Sequence, residues 1–155
     1  MVDAIEVTRR YFDAWNRHDS DAIVATFAEG GTYSDPNEPE GLTGQAIADY
    51  ADGLFAAFPD LSFDVLEIAP AGEGTVAAQW TMRGTNTGSL VGSPPTGNAI
   101  GLPGADILVV ESDKVRSVKG YFDRRTLAEQ LGLQVTVSPY STGAVSFGDS
   151  VYLQL

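Results

Sequence analysis

Residues 104–133, GADILVVESDKVRSVKGYFDRRTLAEQLGL, constrain the fold more than any other stretch of the chain. Ile107, Leu108, Val109 and Val110 are apolar and mostly β-branched, the composition of a half-buried strand. Ser112 and Asp113 form a turn, and a second arm runs from Lys114 to about Asp123. Glu111 facing Lys114 across a two-residue turn sets a hairpin register. That count places Asp106 opposite Lys119 and Gly104 opposite Tyr121. Strand side chains alternate, so Lys119, Tyr121 and Asp123 should share a face with Asp106 and Leu108. The opposite face should carry Ile107, Val109, Val118 and Phe122. A one-residue slip would exchange the two faces. Residues 124–131 read as a short helix closed by Gly132.

Upstream, the hydrophobic period is helical. In residues 3–17, Ile5, Thr8, Tyr11, Phe12 and Trp15 recur at three- and four-residue spacing. Asp19 or Ser20 can cap a second helix holding Ile23 and Phe27, ended by Gly30 and Gly31. Residues 32–34 read as a short strand, followed by a polar loop from Asp35. Thr43 can cap a third helix with Ile47, Tyr50, Ala51, Leu54 and Phe58 on one face, stopped by Pro59. The period then changes to alternation, with strands expected at 62–69, 75–83 and 98–111. Pro103 and Gly104 suggest a bulge in the last of these. Residues 84–97, rich in Gly, Pro and Ser, read as a pocket-rim loop; they lack the lysine and the context of a phosphate loop. Helices followed by antiparallel strands make an α+β fold, with a curved sheet wrapped around the helices and a small-molecule pocket on its concave side.

Composition narrows the function classes. The 155 residues carry 21 acidic against 9 basic side chains, a formal net charge of −12, and only two lysines. Phosphate contacts need clustered basic residues, so nucleic acid is not an expected partner. Low lysine content with this acidity fits a high-salt cytoplasm, where screening tolerates self-repulsion. There is no cysteine, which removes disulfides, thiolate metal sites and a thiol nucleophile. A single histidine, His18, removes multi-histidine metal sites and reads as an exposed loop residue. No apolar run approaches the roughly 18 residues of a membrane span. The N-terminus has no apolar core of a secretory signal, so a cytoplasmic location is expected.

Four segments then resemble the SnoaL-like ester cyclase (polyketide cyclase) family of the nuclear transport factor 2-like superfamily. They are Tyr11-Phe12-Asp13-Ala14-Trp15-Asn16 with Asp19; Tyr33-Ser34-Asp35-Pro36; WTMRGTNTGSLVGSPPTG over residues 80–97; and residues 104–132 ending Glu129-Gln130-Leu131-Gly132. The resemblance implies a cone-shaped α+β domain over residues 1–133; residues 134–155 exceed it, and their one strand-like piece, residues 144–153, could add an edge strand to the domain, cover the pocket mouth or reach a second subunit. The resemblance also implies a homodimer and a cofactor-free, metal-free enzyme acting on a small hydrophobic carbonyl compound. In polyketide-cyclase members an aspartate a few residues before the QLG acts as acid/base in an intramolecular aldol closure. Asp123 matches that position. The chain departs from the family pattern at Asn86, where histidine is common, and at Lys119, where tryptophan is common.

Asp123 therefore has two readings. As a general base it would remove a proton α to a carbonyl, helped by burial among Trp80, Tyr121 and Phe55. As a structural carboxylate it would cap the helix that follows, or pair with Arg124 or Arg125. Asp106 and Lys119 read either as a cross-strand ion pair or as a place where Lys119 holds an oxyanion. Tyr33, Asp35, Phe55 and Gln79 are further candidates to contact substrate. So are Trp80, Asn86 and Tyr121, although Tyr33 and Trp80 also suit a plain core. Isomerase or epoxide-hydrolase chemistry in the same pocket is one alternative function. A binding or interaction module without turnover is the other, favoured if Asp123 is locked at the helix terminus.

Overall fold

The computed structural model describes residues 3–137. Helix α1 (Ala4–Asn16) starts where the Asp3 side chain accepts from the Ile5 amide at 2.6 Å. It buries Thr8, Tyr11, Phe12 and Trp15 of the stripe read from the spacing, together with Val7, while Ile5 is half-buried. Asp19 caps α2 (Ser20–Ala25) by accepting from the Ala22 amide at 2.9 Å. His18, between the two helices, has a left-handed φ of 55°. Its Nε2 lies 2.7 Å from the Leu61 carbonyl and its ring stacks on Phe55 at 4.2 Å. The expectation of an exposed loop histidine is thereby corrected: the half-buried ring joins the α1–α2 turn to Phe55 and Leu61.

Phe27 belongs to strand β1 (Phe27–Asp35), not to a helix that ends at Gly30 and Gly31. The chain remains extended there because β1 pairs with the strand at Lys114–Phe122, and the Val115 amide donates to the Thr26 carbonyl at 2.8 Å. The expected polar loop becomes strand β2 (Glu38–Thr43), antiparallel to β1. Thr43 ends that strand, so α3 (Gln45–Ala57) is preceded by Gly44 with no side-chain cap. The apolar face of α3 is otherwise the one expected, with Ile47, Ala51 and Phe58 buried.

Strands β3 (Ser62–Gly72), β4 (Thr75–Thr85), β5 (Ala99–Glu111) and β6 (Lys114–Phe122) follow. Together they give a six-stranded sheet in the order β2-β1-β6-β5-β4-β3, antiparallel except for the β1–β6 pair. The sheet curves without closing, and α1 lies against its inner face over β3 to β6. Helix α4 (Arg124–Gln130) follows β6 and is closed by Gly132 at φ +84°. Gln130 ties α4 to β5 by bonding both the Gly101 amide (3.0 Å) and carbonyl (3.1 Å). The strand-like segment expected at 144–153 lies outside the described residues.

The hairpin departs from the simple count at one point. Glu111 faces Lys114, but Val110 faces Val115 and Val109 faces Ser117, so Arg116 is an extra residue in β6. This bulge moves the pairing by one. Asp106 faces Gly120, Ile107 faces Lys119 and Ala105 faces Tyr121. The inner face is therefore Asp106 and Leu108 with Val118, Gly120 and Phe122, while Lys119 and Tyr121 turn outward. No bulge occurs at Pro103 and Gly104, which pair in unbroken register with Thr81 and Trp80. Gly104 instead makes room for an aromatic ring: a Cβ there would lie 2.3 Å from Trp80.

Candidate active site

A cavity opens between α1, α3 and the inner face of the sheet. The space between its lining atoms, its open mouth included, is about 610 Å³. Tyr11, Phe12 and Trp15 of α1 form one wall, and Tyr50 and Leu54 of α3 another. Leu90 from the loop after β4 and Leu127 from α4 complete the apolar lining. Among the described residues, the acidic groups in this lining are Asp35 and Asp106, and no lysine, arginine or histidine lines it.

Asp35 ends β1, and Tyr33, two residues earlier, shares its inner face. Both Tyr33 and Tyr50 donate their hydroxyls to Asp35 Oδ2, at 2.7 and 2.6 Å. The backbone amides of Asn37 and Glu38 donate to Oδ1 at 2.7 and 3.0 Å. Four donors thus converge on one carboxylate, which meets the demand of a buried acid for partners. Burial, followed by the charges and hydroxyls around them, raises both phenol pKa values well above the ordinary range. Tyr11 is raised likewise, first by burial and then by the charge of Asp106. All three stay protonated at neutral pH.

Asp106 stands on β5, only 4% exposed. Its environment is the opposite of Asp35's. Burial is the main cause that lifts its pKa from 3.8 to about 7; the Trp80 side chain opposes the rise and the Asp35 charge adds to it. The buried Trp80 Nε1 nevertheless completes no hydrogen bond among the described residues. Gly120 provides the space between the two acids. A Cβ at that position would lie 3.0 Å from Asp106 Oδ1 and 3.3 Å from Asp35 Cβ.

Of the residues picked out from the sequence, Tyr33, Asp35, Trp80 and Asp106 meet in this cavity. The others are elsewhere. Asp123 is exposed and caps α4, accepting from the Arg125 amide at 3.0 Å and the Thr126 hydroxyl at 2.8 Å. These bonds hold its pKa below the usual carboxylate range. Its expected place beside Asp106 is corrected, because the Arg116 bulge turns that face of β6 outward. Lys119 is exposed, and the proposed Asp106–Lys119 pair does not form, for the same reason. Tyr121 is 52% exposed, and Gln79 is on the outer face of β4. Phe55 stacks on His18 and meets Trp15 edge-on behind the wall. Asn86 is buried, but its amide bonds the Ala57 and Gly88 carbonyls and its Oδ1 takes the Thr96 amide at 2.8 Å, fixing the rim loop.

Tyr11, Tyr50, Asn37 and Gly120 line the cavity without having been singled out as site residues. Tyr11 and Tyr50 are visible in the sequence only as members of helical core stripes, and Gly120 has no side chain to notice. Among the described residues no three His, Cys, Asp or Glu side chains gather as metal ligands would, and no helix is long and apolar enough to cross a membrane.

Comparison with known proteins agrees with this architecture. AclR of Streptomyces galilaeus, provisionally described as a hydroxylase, is 24% identical with a TM-score of 0.73, over 87% of this chain and 88% of its own. IdmH of Streptomyces antibioticus, provisionally described as a polyketide cyclase, is 21% identical with a TM-score of 0.73, over 85% and 100%. A protein of Catenulispora acidiphila with a ketosteroid isomerase-like fold, in complex with trimethylamine, is 22% identical with a TM-score of 0.70, over 83% and 94%. No curated protein matches the chain. Residues 5–131 match the family described as SnoaL-like polyketide cyclase, and the chain belongs to that family.

Proposed function

We propose that the protein catalyses proton transfer α to a carbonyl in a small, mainly apolar compound, with Asp106 as the acid/base and ring closure of the polyketide type as the reaction. The observation that carries this reading is a carboxyl group held at a pKa of about 7 inside an apolar cavity. A base works best when its pKa lies near the working pH, because it is then both available and strong enough. As the carboxylate, Asp106 takes the α-proton, and the electron pair of that C–H bond passes into an enolate. The enolate carbon then attacks a second carbonyl of the same molecule. The resulting alkoxide takes the proton back from Asp106, so the carboxylate is regenerated. The unpartnered Trp80 N–H is a donor available to the enolate oxygen. This scheme draws on no metal or organic cofactor. Asp123, locked in its helix cap, has no part in it.

The test uses proton exchange, which needs no knowledge of the natural substrate. A panel of one- and two-ring ketones is screened for binding, and α-proton exchange of the bound ones in D₂O is followed by NMR. The wild type should accelerate exchange, and Asp106→Asn should lose at least about 100-fold of that acceleration. Asp123→Ala should retain it, while losing about 1 kcal/mol of stability with its helix cap. Equal exchange by Asp106→Asn and wild type would overturn the assignment. So would bound ketones whose exchange the wild type leaves unchanged; the protein would then be a binder without turnover.

A second reading is favoured by the charge of the lining. Two acids and several aromatic rings without a basic side chain also suit an organic ammonium ion, and the Catenulispora neighbour is in complex with trimethylamine. Titration with trimethylammonium decides between them: tight, salt-sensitive binding without ketone exchange would favour this reading.

A further inference from the structure

We propose that Tyr33, Asp35 and Tyr50 form a subsite that reads a hydroxyl group of the substrate, so that the compound bound is a hydroxy-carbonyl and not a simple ketone. A phenol has one proton to give. Both phenols spend it on Asp35 Oδ2, at 2.7 and 2.6 Å. Asp35 Oδ1 is filled by two backbone amides. The cluster therefore has no donor left to offer, and what it presents to the cavity is phenol oxygen lone pairs. Tyr33 Oη has no further partner among the described residues. Among the same residues, Tyr50 Oη receives only Asn37 Nδ2, at 3.5 Å, the outer limit of a hydrogen bond.

A ligand group that bonds either phenol oxygen has to donate. A carboxylate or phosphate cannot, and it would meet the negative charge of Asp35 with no basic side chain in the lining to offset it. A neutral hydroxyl fits both conditions. The same cavity has an unpartnered donor at Trp80 Nε1, which asks for an acceptor such as a carbonyl oxygen. The carbonyl half of this assignment rests on the reading of Asp106 given above; the hydroxyl half stands on the Asp35 cluster alone.

Three single-ring probes, small enough for the cavity, separate the possibilities: 4-hydroxyacetophenone, 4-methoxyacetophenone and acetophenone, titrated by calorimetry at about pH 6, where the phenol is neutral. The hydroxyl compound should bind about 10-fold more tightly than either of the others. Asp35→Asn replaces the acceptor by an amide that donates, which frees the phenol protons to turn toward the ligand. The preference should then fall to about one or invert in favour of the methoxy compound. A crystal structure of the wild type with 4-hydroxyacetophenone should place the hydroxyl oxygen within hydrogen-bond distance of Tyr33 or Tyr50 Oη, and it is informative even if Asp35→Asn does not fold. Equal affinity for the three probes, or a hydroxyl bound away from both phenols, would overturn the proposal. Asp106→Asn distinguishes the two failures: it should abolish exchange and leave the hydroxyl preference intact.

Discussion

Three aspartates show that residue type alone does not decide chemistry. Asp123 faces water at a helix terminus, and its hydrogen bonds favour the charged form. Asp35 is buried but surrounded by four donors. Asp106 is buried without such a set, and its pKa is raised to about 7. That difference has a consequence for stability. Between about pH 4 and about pH 7 the folded protein holds a proton on Asp106 that the unfolded chain has released. The contribution of this proton is complete below the unfolded pKa and disappears as pH rises through about 7. Asp106→Asn is neutral throughout. Its stability relative to wild type, from urea unfolding, should therefore rise by a few kcal/mol from about pH 4 to about pH 8. Parallel curves for the two proteins would refute a proton held by Asp106.

At the scale of elements, one extra residue controls the site. Arg116 is inserted between paired positions of β6, and everything beyond it exchanges faces. Gly120 replaces Lys119 opposite Asp106, which admits the carboxyl group to the cavity. Glycines elsewhere show how local packing decides a substitution. Gly104→Ala would set a methyl group against the Trp80 ring, where the available distance is only 2.3 Å, and should cost about 1–3 kcal/mol. Gly53→Ala in α3 meets nothing within 4 Å and should stabilise by about 0.5–1 kcal/mol. Thermal melts of the two variants should move in opposite directions; a common direction would contradict the packing described around β4 and β5.

At the scale of the whole molecule, charge is the dominant feature. A net charge of −12 is spread over the chain, and the ion pairs among the described residues are half-exposed surface contacts such as Arg10–Glu6 and Arg125–Glu129. Such pairs contribute little, so self-repulsion is largely unopposed. Raising NaCl from roughly 0.1 M to roughly 1 M shortens the screening length from about 10 to about 3 Å. The melting temperature should rise by several degrees. A flat or falling response would show that repulsion does not limit stability.

The sequence by itself determined the α+β class, the faces of α1 and α3, the Gly132 stop of α4 and the family, because these depend on local periodicity, turn chemistry and contiguous motifs; for Asp123 it left the helix cap and the general base both open. Tyr33, Trp80 and Asp106 were legible as candidates because they are polar or large aromatic residues on expected strands, and Asp35, read as the start of a polar loop, was legible only as part of the Tyr33-Ser34-Asp35-Pro36 motif. The facing of β6 was not legible. Its alternation is compatible with either register, and only pairing with β5 and β1 places the bulge at Arg116. The same applies to the start of β1, whose extended backbone is imposed by β6, distant in sequence, while β2 is held extended by pairing back onto β1. Tyr50 reaches Asp35 only when α3 folds across the end of β1. The tertiary structure thus decided which aspartate is buried, since desolvation depends on what surrounds a side chain in space and not on its neighbours along the chain.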